Sequence, residues 1–513
     1  MAAFVLLISA CAPDYDSDGA TESAVSPTSE YFTQSFTGPI DGDAVTIEIS
    51  DKLTSKTFRR DNIGLSFEST ELADPRIDPA ASNLDELLNH LGDPALRFGG
   101  NELDRRVFWT SAGEKATKPE QVVVTPDDLR RLKKLVDATG STVTIGIPLG
   151  TYDPQRGADM ATHAVDILGD SLVGLAIGNE PNGYAITSVP NGAVRGSGWN
   201  TAEYRKQLDG YVSAIHAKRP DAPIIGPDVY DGEWMDAFLD SDVKNTAALS
   251  QHWYQLYECS STEVPGRGPQ AQNLIDPLAK DSAEKILDIG LSKAEGAGIP
   301  LWLEETGTTS CPGTNDTSRT HATALWAVDY SLFAATLGVE RMAMHSMLGA
   351  CLGGAPMSLV CDPADHGSRS STFSGRPHYS ALRLLVPSTG GSFLHTTVKG
   401  GGNISAYTVS KDEGNTLVTT IVNANDAKSS GGNPVTLTAP QGYRVAEAAQ
   451  VHAPSNEAKN ATAVHPSTPL PETVPYSGPA RPSDDPKMTE FDIDLSASSA
   501  TVLILRKERT AET

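Results

Sequence analysis

Two apolar runs in this chain end in acids. In LVGLAIGNEP, residues 172–181, Leu172 to Ile177 lead into Gly178, Asn179 and Glu180. In IPLWLEE, residues 299–305, a second run ends in Glu304 and Glu305. In a parallel barrel the residues at the carboxyl ends of strands converge on one mouth, where chemistry is done. Two carboxylates facing each other there suit glycosidic cleavage: one protonates the leaving oxygen, and the other attacks the anomeric carbon or activates water. Direct attack requires the carboxyl groups to be roughly 5–5.5 Å apart. Successive strand residues point to opposite faces, so only one of Glu304 and Glu305 is expected to face the barrel axis, and the residues alone do not say which.

Other polar residues close similar runs. Glu68 ends GLSFE, Arg97 precedes Gly99 and Gly100 in ALRFGG, His252 and Tyr254 end the run 247–254, and His345 lies in RMAMHSM, 341–347. Asn179 is placed to hydrogen-bond a sugar 2-hydroxyl. Arg97 and Tyr254 are placed to hold a nucleophile ionised and oriented. His252 and His345 are read as lining the pocket. Trp109, Tyr152, Tyr184, Trp199, Tyr230 and Tyr257 fall in or near loops at the same end, which suits stacking on sugar rings.

These residues need a scaffold that brings strand ends together. Eight short apolar runs (62–68, 94–100, 142–150, 172–180, 222–230, 247–254, 299–305 and 341–347) alternate with helical patterns or with space for a helix. Continuous apolar runs fit parallel strands covered on the outside. The helix after the second run is well marked, with Thr125, Pro126 and Asp128 as its start signal, an apolar face of Leu129, Leu132, Leu135 and Val136, and Gly140 as its stop. The pattern predicts an α/β fold, a (β/α)8 TIM barrel over 59–388. Strands 4 and 7 then face each other across the mouth, separated by three βα units. From 389 to 513 the texture becomes short strands split by Gly, Asn and Pro, which predicts an all-β sandwich. The alternating stretch DAVTIEIS lies outside the barrel, so the segment 39–58 is expected to lend that sandwich an N-terminal strand.

The chain has 513 residues, 39% hydrophobic and 20% charged, with a net charge of −25. Such a surface repels nucleic acid and anionic lipid heads, so no nucleic-acid partner is expected. MAAFVLLISAC is too short to span a bilayer; residues 1–11 look like the tail of an export signal with a lipobox, in which Cys11 would be lipidated. The acidic, low-complexity segment 12–38 suits a flexible tether. The expectation is an exported protein, lipid-anchored at the outer face of a bacterial membrane or secreted, touching membrane only through that anchor. Of the remaining four cysteines, Cys351 and Cys361 enclose a short loop, and pairing them leaves Cys259 with Cys311; four cysteines allow three pairings, and free thiols are the alternative. No metal-ligand spacing stands out, and the chemistry requires neither metal nor organic cofactor.

Taken together, LRFGGNELD (96–104), NEPNGY (179–184) and WLEET (302–306) resemble glycoside hydrolase family 79, the β-glucuronidases and heparanase-type enzymes among the clan A retaining (β/α)8 glycosidases. The likeness spans roughly 60–350. It implies Glu180 as acid/base and Glu305, the glutamate before Thr306, as nucleophile. It also implies that Glu68 binds hydroxyls at the pocket floor. The uronate carboxylate would be held by backbone N–H groups just past the nucleophile, where Gly307 and Gly313 allow close approach. The expected activity is an exo-acting retaining β-D-glucuronidase on a glucuronide-bearing glycan or glycoside. The alternatives are a clan A glycosidase with a non-uronate glycone, and a non-catalytic cell-surface glycan-binding lipoprotein.

Overall fold

The computed structural model describes residues 44–186, 192–257, 267–364, 370–400, 402–429, 432–459 and 480–508. Cys11, Cys259 and the segments 1–11 and 12–38 lie outside them.

Eight parallel strands close into a barrel in chain order: β1 (Gly64–Glu68), β2 (Ala95–Gly99), β3 (Val143–Ile147), β4 (Leu172–Ile177), β5 (Ile224–Val229), β6 (Thr246–Leu256), β7 (Leu301–Thr309) and β8 (Val339–Ser346). Every residue of β1, β2, β3 and β5 is buried. Each of these strands therefore packs on both faces, which is why the runs are apolar throughout rather than alternating. The helix Pro126–Thr139 has the expected capping box between Thr125 and Asp128, and it stops at Gly140 in the left-handed region. Its Leu129, Leu132, Leu135 and Val136 are buried in the main core, each contributing about 1.5–3 kcal/mol.

A separate nine-stranded sheet forms the β-domain. Strand Val45–Phe58 joins it, antiparallel to Gly391–Gly400 and parallel to Asn433–Pro440. Register shifts at Ile49/Leu53 and Leu53/Thr57 let the sheet bend. Its two ends share one core, with Leu417, Leu503 and Leu505 clustering with Ile47, Leu437 and Phe491, so the sheet coils over into a sandwich. The helix His321–Leu337 is buried on nearly all sides, because it lies between the barrel and this domain. The domain also satisfies the start of that helix, with Ala322 N–H donating to Asn456 O and His321 N–H to Ala458 O.

Candidate active site

The carboxyl ends of the barrel strands meet around Arg97. Its guanidinium is almost fully buried and donates to four partners: Ser66 Oγ at 2.8 Å, and Glu305 Oε2, Asn179 Oδ1 and Asp228 Oδ2, each at 2.7 Å. One cation thus ties together β1, β2, β4, β5 and β7. The two glycines that follow it make this possible. A Cβ on Gly99 would lie 2.3 Å from Arg97 Cζ, and one on Gly100, at φ +80°, would lie 2.3 Å from a Glu68 oxygen.

Glu305 is buried among donors. Tyr254 donates to Oε1 at 2.6 Å, and His345 Nδ1 lies 3.2 Å from the same oxygen. Burial alone would raise its pKa, but His345, His252 and Arg97 outweigh that and hold it well below the usual carboxylate range. Burial likewise works against the charges of His345 and His252. The Glu305 carboxylate is the main force raising His345. Glu305, with Asp228 and Glu180, pushes His252 up to about 9.

Glu180 occupies the left-handed region at φ 47°, ψ 56°, a strained setting for a side-chain-bearing residue. The turn is held from both sides: Glu180 N–H donates to Asp228 O at 3.2 Å, and Gly183 N–H donates to Glu180 O at 2.9 Å. Trp199 Nε1 donates to the next carbonyl, Pro181 O, at 2.7 Å. The Glu180 side chain remains 14% exposed, with Oε1 3.2 Å from His252 Nδ1. One carboxylate oxygen of Glu180, one of Glu305 and one His252 nitrogen lie within 4.8 Å of one another.

Glu68 is fully buried beside Gly100. One oxygen accepts Glu102 N–H at 2.9 Å; the other faces His345 Nε2 at 3.7 Å without a hydrogen bond. Burial raises its pKa to about 7 against the pull of His345. The structure thus gathers Glu68, Arg97, Asn179, Glu180, His252, Tyr254, Glu305 and His345 at one mouth.

Several expectations need correction. Glu304 and Glu305 both point into the barrel. Leu303 and Glu305 pair with consecutive residues of β6, Gln251 and His252. Glu304 is therefore the extra residue of a β-bulge, which breaks the alternation. Glu304 lies outside the catalytic cluster, bonded to Arg341 Nε at 2.9 Å and to Thr144. Gly307 is in strand, not loop, since β7 runs to Thr309. A Cβ there would meet the Tyr254 ring at 2.9 Å, so the glycine makes room for the tyrosine that bonds Glu305. Beyond it, the N–H groups of Ser310, Thr314 and Thr317 are already bonded within the protein, so they form no open carboxylate nest. Trp109, Tyr184 and Trp199 are buried, the last two stacked on each other with centroids 5.4 Å apart. They brace the strand ends, and of the six aromatics Tyr152 alone is well exposed, at 48%. Cys351 and Cys361 are disulfide-bonded; the pairing of Cys311 with Cys259 falls outside the described residues.

The sequence reading missed Asp228, at the end of β5. The signal was available, since IIGPDV is another apolar run that ends in an acid.

No family model matches the chain. A β-glucuronidase of Neurospora crassa is 29% identical over 198 residues, 34% of this chain and 34% of that protein, so the match spans about a third of the curated relative. Among solved structures, a 4-O-α-L-rhamnosyl-β-D-glucuronidase from Fusarium oxysporum superposes with a TM-score of 0.66 at 18% identity, over 89% of this chain and 99% of that one. A family 51 arabinofuranosidase from Xanthomonas axonopodis pv. citri gives 0.62 at 15% identity, over 91% and 100%. With these enzymes the chain shares its fold, a closed barrel of eight parallel strands beside a separate all-β sheet.

Proposed function

We propose that this protein is a retaining β-glycosidase acting in exo mode on β-D-glucuronides. The observation that carries the reading is the pairing of a partly exposed Glu180 with a buried Glu305 held ionised by Arg97, Tyr254 and His345, their nearest oxygens within 4.8 Å. That separation suits direct attack; a gap of about 6.5–9.5 Å, the room an inverting enzyme keeps for water, would not. Glu180 protonates the glycosidic oxygen while Glu305 attacks the anomeric carbon, giving a glycosyl ester. Glu180 then takes a proton from the incoming water, which releases the sugar and restores both groups. Asn179 Oδ1 is already occupied by Arg97 and Gly100 N–H, which leaves its NH2 to donate to a substrate hydroxyl.

The charge balance supports an anionic sugar. Arg97 and two histidines shifted upward, His252 and His345, meet two carboxylates shifted downward, Glu305 and Asp228, so cationic groups gather at this mouth inside a chain of net charge −25. A uronate gains from that field, and a neutral hexose does not. The partial match to a β-glucuronidase points the same way.

The test is hydrolysis of 4-nitrophenyl β-D-glucuronide beside the β-glucoside, β-galactoside and α-L-arabinofuranoside. Cleavage of the glucuronide alone, lost in Glu305→Gln, is expected. Cleavage of a neutral glycoside instead would keep the two-carboxylate chemistry and overturn the glycone.

A further inference from the structure

Asp228 is buried to 1% exposure, and it contacts both halves of the catalytic centre. Its Oδ2 receives Arg97 Nη2 at 2.7 Å, and Arg97 Nη1 holds Glu305. The same Oδ2 lies 3.7 Å from His252 Nε2, while His252 Nδ1 lies 3.2 Å from Glu180. Oδ1 is bonded by the Ser250 hydroxyl. The backbone takes part as well. Asp228 sits in the left-handed region at φ +60°; its N–H donates to Ser250 Oγ at 3.0 Å, and its carbonyl accepts Glu180 N–H at 3.2 Å. Strain of this kind persists only where the surroundings hold it in place.

We propose that Asp228 is a positioning residue for proton delivery: its carboxylate fixes the His252 ring so that Nδ1–H points at Glu180. This rests on the reading of Glu180 as acid/base. The groups facing His252 are Glu180 on the β4 end, Asp228 on β5, Glu305 on β7 and Arg97 on β2. With Asp228 and Glu180 on opposite nitrogens, the imidazolium is drawn by the Asp228 charge at 3.7 Å, with no hydrogen bond from Nε2, and donates from Nδ1 to Glu180 at 3.2 Å. Neutralising Asp228 removes that pull. In Asp228→Asn an amide oxygen in the Oδ2 position still accepts from Arg97 and still faces His252, and the backbone bond to Glu180 is independent of the side chain, so the substitution removes the charge that draws the imidazolium while keeping the packing.

The experiment compares the wild type with Asp228→Asn on 2,4-dinitrophenyl and phenyl β-D-glucuronides, reading kcat/KM. Dinitrophenolate departs without a proton, whereas phenolate needs one. The expected result is a loss of about 10- to 100-fold on the phenyl glucuronide and less than about threefold on the dinitrophenyl one. Equal losses on both would mean general disruption and overturn the proposal. A parallel readout needs no substrate: histidine NMR titration, with His252→Asn to assign the signal, should show the His252 pKa falling by about a unit or more in the Asp228 variant. An unchanged pKa would overturn the proposal. If the wild type cleaves neither glucuronide, the glycone reading fails, and the titration still decides the role of Asp228. If Asp228→Asn does not fold, Ser250→Ala, which frees Oδ1, should show the same leaving-group dependence at smaller size; loss without that dependence overturns the proposal.

Discussion

Replacing Glu304 and Glu305 separately by Gln should part structure from chemistry at adjacent positions. Glu304 is fully buried against Arg341, with Nε 2.9 Å from Oε1; Arg341 also has Asp61 at 3.5 Å. Breaking a buried ion pair costs about 3–5 kcal/mol when one charge is left unpaired. Here Asp61 remains, and a glutamine oxygen still accepts from Nε, so Glu304→Gln should lose about 2–3 kcal/mol by urea titration. Its kcat on the chromogenic glucuronide, measured well below the unfolding midpoint, should stay within about threefold of wild type, because Glu304 is hydrogen-bonded to Arg341 and Thr144 and acts on Arg97 only as a neighbouring charge behind those held by Asp228 and Glu305. Glu305→Gln should retain the fold and lose at least about 10³-fold in kcat. The reasoning is refuted if Glu304→Gln is the inactive variant, or if Glu305→Gln keeps more than a few per cent of the activity.

Two further outcomes are expected. His252 has a folded pKa of about 9 against an ordinary 6.5, so the stability it contributes is complete below pH 6.5 and is lost as pH rises through 9. The unfolding free energy from urea titrations should fall between pH 6.5 and 9 by an amount on the order of 3 kcal/mol, and His252→Asn should flatten that slope; an unchanged slope would contradict the assignment. Gly100→Ala should remove most of the activity and lower stability, because φ +80° and the Glu68 carboxylate together leave no room for a methyl group; a wild-type kcat/KM in that variant would contradict the dependence of the site on this packing.

The barrel and most of its mouth were legible because a parallel barrel has a simple grammar: apolar run, polar end, helix. Glu180, Arg97 and Tyr254 obey it. Asp228 obeys it too, but a Gly-Pro pair stands between its apolar run and the acid and blurs where the strand ends. What sequence periodicity does not contain is the β-bulge at Glu304. One extra residue turned two consecutive glutamates inward, and no alternation pattern marks where such a residue falls. The aromatics misled for a related reason. Trp109, Tyr184 and Trp199 do follow strand ends, but composition does not distinguish a ring that meets solvent from one that fills the space beneath a loop. Gly307 carried the right signal of close approach and the wrong partner: the neighbour is Tyr254, not a ligand.

The central claim is that Glu305 forms a covalent bond to a glucuronyl group delivered with acid help from Glu180. Incubation with 2-deoxy-2-fluoro-β-D-glucuronyl fluoride, followed by intact-mass and peptide analysis, tests it directly. The account predicts one added fluoroglucuronyl group per chain, located on Glu305 and absent in Glu305→Gln. A label on Glu304 or elsewhere, or hydrolysis of a β-glucuronide with inversion and no trapped adduct, would contradict it.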